Sequence, residues 1–228
     1  MGGGGFSQEP DDPRLDDFIL GLTGRKRPRV CFLPTAAGDD RGYVANFYDA
    51  FVGKARPSWL PLFNRRDRDL RAFVLGHDAI YVGGGNTANM VAIWRVHGLD
   101  GILREAWEQG IVLAGLSAGA ICWFSHGVTD SFGLELGPLE GGLGFIEGSF
   151  CPHYDGEALR RPRYHELVRA GLPGGWAADD GAALHFTGTE LAEVVASRSG
   201  ARAYRVQLRD GDVVETPLEA RLLEQASS

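Results

Sequence analysis

Ile111-Val112-Leu113-Ala114 is an apolar, strand-like run that enters Gly115-Leu116-Ser117-Ala118-Gly119 and leaves through Ala120 as a helical segment. Glycines two before and two after a serine permit a sharp, strained strand-to-helix turn that lifts the hydroxyl clear of a sheet edge. The pattern demands a strand and a helix in close succession and marks Ser117 as a candidate nucleophile. A small-residue turn that only packs a helix closely on a sheet reads the same way, so the rest of the chain has to decide.

The flanking pattern agrees with such a frame. Strand-like runs at Val30 to Pro34, Trp59 to Phe63 and Ala79 to Val82 alternate with helical periodicity over Gly42 to Val52, Arg68 to Leu75, Ala88 to His97 and Asp100 to Gln109. Strand-helix alternation with short loops predicts an α/β fold with a mostly parallel sheet flanked by helices on both faces. Gly127 to Gly144 is glycine-rich and reads as a long loop or hairpin, Phe145 to Cys151 as a strand, and Pro162 to Gly171 as a helix. From Trp176 onward, apolar and polar residues alternate between turn signals at Asp179-Asp180-Gly181 and Asp210-Gly211-Asp212, which predicts a β-rich C-terminal extension. Residues 1–10 open with Met1-Gly2-Gly3-Gly4-Gly5 and are expected to be disordered, leaving residues 11–228 as one domain.

Composition narrows the function. With 44% hydrophobic residues over 228 positions the chain can bury a substantial core, and no apolar run reaches the roughly 18 to 20 residues of a membrane span. A formal charge of -7 argues against a nucleic-acid partner. The basic runs Arg25 to Arg29 and Arg160 to Arg163 are short. Cys31, Cys122 and Cys151 lie far apart in apolar surroundings with no zinc-like spacing, so they read as buried hydrophobes. The expectation is a cytoplasmic protein with no membrane partner, metal or cofactor, whose C-terminal strand edge is able to pair two copies into a homodimer.

In α/β sheets ligands bind at the carboxyl ends of the strands. Gly83-Gly84-Gly85-Asn86-Thr87 follows a strand there and precedes a helix, without the Lys-Ser/Thr of a phosphate loop. One of its glycine N–H groups, together with that of Ala118, suits an oxyanion hole. His153, after the strand ending at Cys151, is the histidine best placed to reach Ser117; His77 precedes a strand, and His126 is expected on the helix that follows Ser117. The acids between Ser117 and His153 are Asp130, Glu135, Glu140 and Glu147; Asp130 in Thr129-Asp130-Ser131 is the first choice to orient the histidine and Glu135 the second.

GGGNT, GLSAGA, TDS and CPHYD, in this order and spacing, resemble the peptidase E family of aspartyl dipeptidases, whose relatives include the cyanophycinases. The resemblance spans Val30 to Gly175. It implies a class I glutamine-amidotransferase-like α/β fold with serine in place of the amidotransferase cysteine. It sets the nucleophile on Ser117, the histidine on His153 and the oxyanion glycine on Gly85, with Gly84 as the alternative. The family's aspartate matches Asp130 only across a two-residue deletion, and the cyanophycinase glutamate lies closer to Glu135.

The resemblance further implies an N-terminal aspartate as the residue recognised. Arg160 matches the family's carboxylate-binding arginine in a loose register, Arg163 stands close enough to support it, and Asn86 and Thr87 offer polar contacts. The reaction implied is acyl transfer to Ser117 from an Asp-Xaa dipeptide. The alternatives are a cyanophycinase-like β-aspartyl peptidase or broader dipeptidase on the same residues, and a catalytically silent member that binds a small acidic ligand.

Overall fold

The computed structural model describes residues 1–65 and 69–224. Strands β1 (Arg29–Leu33), β2 (Arg56–Trp59), β3 (Ala79–Val82) and β4 (Val112–Gly115) form a wholly parallel sheet in the order β2-β1-β3-β4. The two-residue period of the central strands sorts their side chains between two cores. Val30, Phe32, Ala79 and Tyr81 pack with Leu15 and Ile19 of helix α1 (Arg14–Leu22) and with Val44, Phe47 and Phe51 of α2 (Arg41–Phe51). Cys31, Leu33, Ile80 and Val82 pack on the opposite face, which is covered by α3 (Leu70–Leu75), α4 (Thr87–His97) and α5 (Leu99–Glu108) through Val74, Trp94 and Leu103. Each fully buried Phe or Leu contributes about 1.5 to 3 kcal/mol. Helices therefore cover both faces of a parallel sheet, as the alternation requires.

Beyond the short helix α6 (Ala118–Ile121) the chain builds a second sheet from β5 (Phe124–Thr129), β6 (Gly137–Glu140), β7 (Ile146–Cys151) and, after α7 (Arg160–Arg169), β8 (Gly175–Ala178). β9 (Ala182–Thr187) and β10 (Glu190–Ala196) form a hairpin edged by β13 (Arg221–Leu222), while β11 (Ala203–Arg209) and β12 (Asp212–Leu218) close the second sheet, whose order is β12-β11-β8-β7-β5-β6. β5, β7 and β8 run parallel, so the loops after β7 and β8 emerge side by side. The remaining pairings of this sheet are antiparallel. The glycine-rich Gly127 to Gly144 stretch is the β5–β6 hairpin.

Three expectations change. The strand expected at Trp59 to Phe63 is Arg56–Trp59, because Pro61 cannot donate to a ladder and the Asp39 carboxylate takes the N–H groups of Leu62 and Phe63 at 2.6 and 2.9 Å. Arg68, where the third helix was expected to begin, lies outside the described residues. His126 sits on β5, since α6 ends at Ile121. Residues 1–10 are built into the fold: Met1 to Phe6 are buried, the Met1 amino group donates to Gly115 O at 2.9 Å, and Phe6 packs edge-on against Phe32, Phe47, Phe51 and Tyr81.

The three cysteines are buried, as their surroundings suggested. Among the described residues no helix is long and apolar enough to cross a membrane. An apolar cleft of about 460 Å³ runs between the edges of β4 and β9, and it shares no lining residue with the pocket that holds Ser117.

Candidate active site

The turn at Ser117 is as tight as its glycines suggest. A Cβ on Gly115 would lie 2.1 Å from Gly119 O, and one on Gly119 would lie 2.3 Å from Val82 O. Ser117 itself has φ 51 and ψ -116. A non-glycine residue held in such a region stores about 1 to 3 kcal/mol of strain. The conformation is braced from both sides: Ser117 N–H donates to Met1 O at 3.3 Å, and Ser117 O accepts from Ala120 and Ile121 N–H, each at 2.9 Å.

The neighbouring glycine turn distinguishes its members. Gly84 N–H is spent on Tyr43 Oη at 3.1 Å. Gly85 has φ 133, a region that favours glycine, and a Cβ there would meet Ala36 O at 2.3 Å. Neither Gly85 N–H nor Ala118 N–H has an acceptor among the described residues. Asn86 caps α4 by accepting from Asn89 N–H at 2.8 Å, and its Nδ2 donates to Ser131 O at 3.0 Å. Thr87 is 1% exposed and does not line the pocket, so the expected substrate contact is closed off beneath the start of α4.

Gly85, Asn86, Ser117, Asp130, His153, Glu157 and Arg160 line one pocket of about 310 Å³. His153 is 7% exposed, and its Nδ1 lies 2.6 Å from Asp180 Oδ1. That hydrogen bond from His153 is the largest influence holding the Asp180 carboxyl below its ordinary value, so an ionised carboxylate faces an Nδ1–H and Nε2 is left as the acceptor. Asp180 is held from behind: its N–H donates to Asp155 Oδ1 at 2.9 Å, and its carbonyl accepts from Arg198 Nε at 2.8 Å.

The acid on the histidine is therefore neither Asp130 nor Glu135. Asp130 lines the same pocket but makes no hydrogen bond to His153, because Thr129 and Ser131 fasten the segment to the start of α4: Thr129 Oγ1 and Ser131 Oγ are 2.6 Å apart, and Ala88 N–H donates to Ser131 Oγ at 3.2 Å. Glu135 is exposed in the β5–β6 connection, outside the pocket. Parallel pairing of β7 with β8 sets Cys151 opposite Ala177, and this register carries the chain beyond each strand to bring His153 and Asp180 together. Asp180 lies in the Asp179-Asp180-Gly181 turn signal. The one sequence clue to it is that both residues follow apolar strands directly.

Arg160 is 4% exposed. Its Nε and Nη2 donate to Glu157 at 2.6 and 3.4 Å, and its Nη1 donates to Val128 O at 3.2 Å. Of five guanidinium N–H donors three are used, which leaves one on each terminal nitrogen without a partner among the described residues. Glu157 was not among the expected site residues. Arg163 does not reach the pocket; its Nε donates to Leu136 O at 2.9 Å and it pairs with Glu166 at 3.0 Å, fastening the β5–β6 hairpin to α7.

The family model described as Peptidase family S51 matches residues 1–194. The chain is 55% identical over 227 residues to the uncharacterized peptidase YgaJ of Bacillus subtilis (strain 168), covering 98% of this chain and 97% of that protein. Its fold is similar to the crystal structure of a peptidase from an acI-B1 Actinobacterium, with a TM-score of 0.68 and 20% identity over 96% of this chain and 92% of the other. It is also similar to a candidate peptidase E protein from Listeria monocytogenes EGD-e, with a TM-score of 0.52 and 18% identity over 89% and 93% of the two chains. A strained serine turn, a carboxylate-bound histidine beside it and a family match through both lead to one conclusion: the chain belongs to peptidase family S51.

Proposed function

We propose that this protein is a serine exopeptidase that hydrolyses dipeptides with an N-terminal aspartate. The observation that carries the reading is the 2.6 Å contact between His153 Nδ1 and Asp180, in a pocket that also holds Ser117 and a buried arginine. His153 Nε2 takes the proton of Ser117 as Oγ attacks the carbonyl carbon of the Asp-Xaa bond. The N–H groups of Gly85 and Ala118, which have no acceptor among the described residues, receive the developing oxyanion. Collapse breaks the C–N bond, and His153 returns its proton to the leaving amine. A water then loses its proton to His153 and attacks the acyl ester, which releases aspartate and Ser117.

Substrate class follows from charge and size. The two spare Arg160 donors suit the side-chain carboxylate as a bidentate pair. Glu157 holds the guanidinium in place, and Asp130 across the pocket provides an anionic partner for the free α-ammonium. A pocket of about 310 Å³ stands at the small end of ligand sites, which supports a dipeptide over a longer chain. Three cysteines kept in apolar, buried surroundings fit a reducing, cytoplasmic setting.

The test is hydrolysis of Asp-Leu, Glu-Leu, Ala-Leu and β-Asp-Arg by the wild type and by Ser117→Ala. The reading requires Asp-Leu to be preferred and the serine variant to be inactive. Preference for β-Asp-Arg would shift the assignment to the cyanophycinase-like activity, and an inert wild type that resists a serine-directed fluorophosphonate would replace catalysis with ligand binding.

A further inference from the structure

Asp180 is pinned through its backbone but owes the aim of its carboxylate to two glycines from distant parts of the chain. A Cβ on Gly3 would lie 2.1 Å from Asp180 Oδ1, 2.4 Å from Gln8 Oε1 and 2.9 Å from His153 Cε1. A Cβ on Gly156, in the loop between β7 and α7, would lie 2.0 Å from Asp180 Oδ2. Neither glycine has a positive φ, so the backbone at each accepts an L side chain and glycine is required there only for the space it leaves.

The arm that carries Gly3 is itself fastened along its length. Gly2 N–H donates to Ala182 O at 3.0 Å, Gly3 O accepts from Gly181 N–H at 3.1 Å, and Gly4 N–H donates to Gln8 Oε1 at 2.7 Å. Met1 O, one end of the same arm, accepts from Ser117 N–H. At the other end Phe6 is packed among Tyr43 and its aromatic neighbours, and Tyr43 Oη receives Gly84 N–H. The arm thus touches the serine turn and the histidine-aspartate pair directly, and the glycine turn through Tyr43.

We propose that Gly3 and Gly156 are positioning residues that clamp the Asp180 carboxylate between them and so fix the His153 ring for proton transfer. The kinetic part of this inference rests on the serine-peptidase reading above; the geometric part does not. The atoms that an added methyl would strike at Gly156, and nearly all of those at Gly3, are the ends of side chains. Alanine there displaces the carboxylate and leaves the fold standing. Gly21, on an exposed face of α1 with nothing within 4 Å of an added Cβ, is the control.

The experiment compares the wild type, Gly3→Ala, Gly156→Ala and Gly21→Ala by thermal melting, by steady-state hydrolysis of Asp-Leu, and by the downfield ¹H NMR resonance of a histidine Nδ1–H donated to a carboxylate, assigned by its loss in Asp180→Asn. Gly3→Ala and Gly156→Ala are expected to lower kcat about tenfold or more with KM within about threefold. Both shift or lose the resonance at near wild-type Tm, and Gly21→Ala changes neither. Two substitutions so far apart in sequence meet at the Asp180 carboxylate, the group that both methyls strike. Retention of the resonance and of wild-type kcat in both variants overturns the proposal. Should the wild type fail to cleave Asp-Leu, the peptidase reading falls, while the resonance still tests the clamp.

Discussion

His153 Nδ1 and Asp180 Oδ1 stand 2.6 Å apart although 27 positions separate the two residues in the chain, and two parallel strands bring them there. Asp180→Asn keeps the shape of this contact but removes the charge and favours the wrong imidazole tautomer. The expected fall in kcat on Asp-Leu is about a thousandfold or more. Asp130→Asn and Glu135→Gln leave kcat within about tenfold, with the Asp130 change appearing mainly in KM. Steady-state kinetics on the three variants decides it, and a larger kcat loss at Asp130 than at Asp180 would reverse the roles.

The two candidate oxyanion glycines separate in the same way. Gly85→Ala drives a Cβ to 2.3 Å from Ala36 O at a φ of 133, whereas Gly84→Ala meets the movable Leu116 Cδ1 at 3.2 Å. Gly85→Ala is expected to lose about 2 kcal/mol or more of stability and to lower kcat at least a hundredfold in the fraction that remains folded. Gly84→Ala melts within a few degrees of the wild type and keeps most of its acylation rate. Melting curves read beside fluorophosphonate labelling of Ser117 separate stability from catalysis.

Arg160 is expected to act through geometry as well as charge. Arg160→Lys retains the cation but loses the fork, so kcat/KM for Asp-Leu falls about 10- to 100-fold while that for Ala-Leu changes little. Arg163→Ala, outside the pocket, leaves both within about twofold. Equal losses on Asp-Leu and Ala-Leu in Arg160→Lys would assign the arginine to architecture instead of specificity.

Asp16 supplies a pH signature of the N-terminal half. Burial beneath the arm raises its pKa from 3.8 to about 7, against the opposing hydrogen bond donated by Tyr81 Oη. Its folded-state pKa lies above the unfolded one, so its stabilisation is fully present below about pH 4 and is lost as pH rises through about 7. Relative to Asp16→Asn, the wild type should lose on the order of a few kcal/mol across that window. The gap between their melting temperatures, measured from pH 4 to 8, should move by several degrees. Parallel curves would show that Asp16 titrates normally.

The chain by itself determined the parallel half of the fold, because apolar periods of two and 3.6 residues are local signals. It marked Ser117 and His153 as candidates, since each sits where an apolar strand ends, Gly85 through the spacing of four short motifs and Arg160 through a loose register of the helix after His153; the fold brings all four to one pocket. Only the tertiary structure decided which carboxylate stands behind the histidine. That choice depends on the pairing of β7 with β8, a contact between segments that carry no local record of each other. The same holds for Gly3 and Gly156. A run of glycines reads as disorder in sequence because it has no side chains to bury, and it is ordered here because the absence of side chains is what lets it pass beside Asp180.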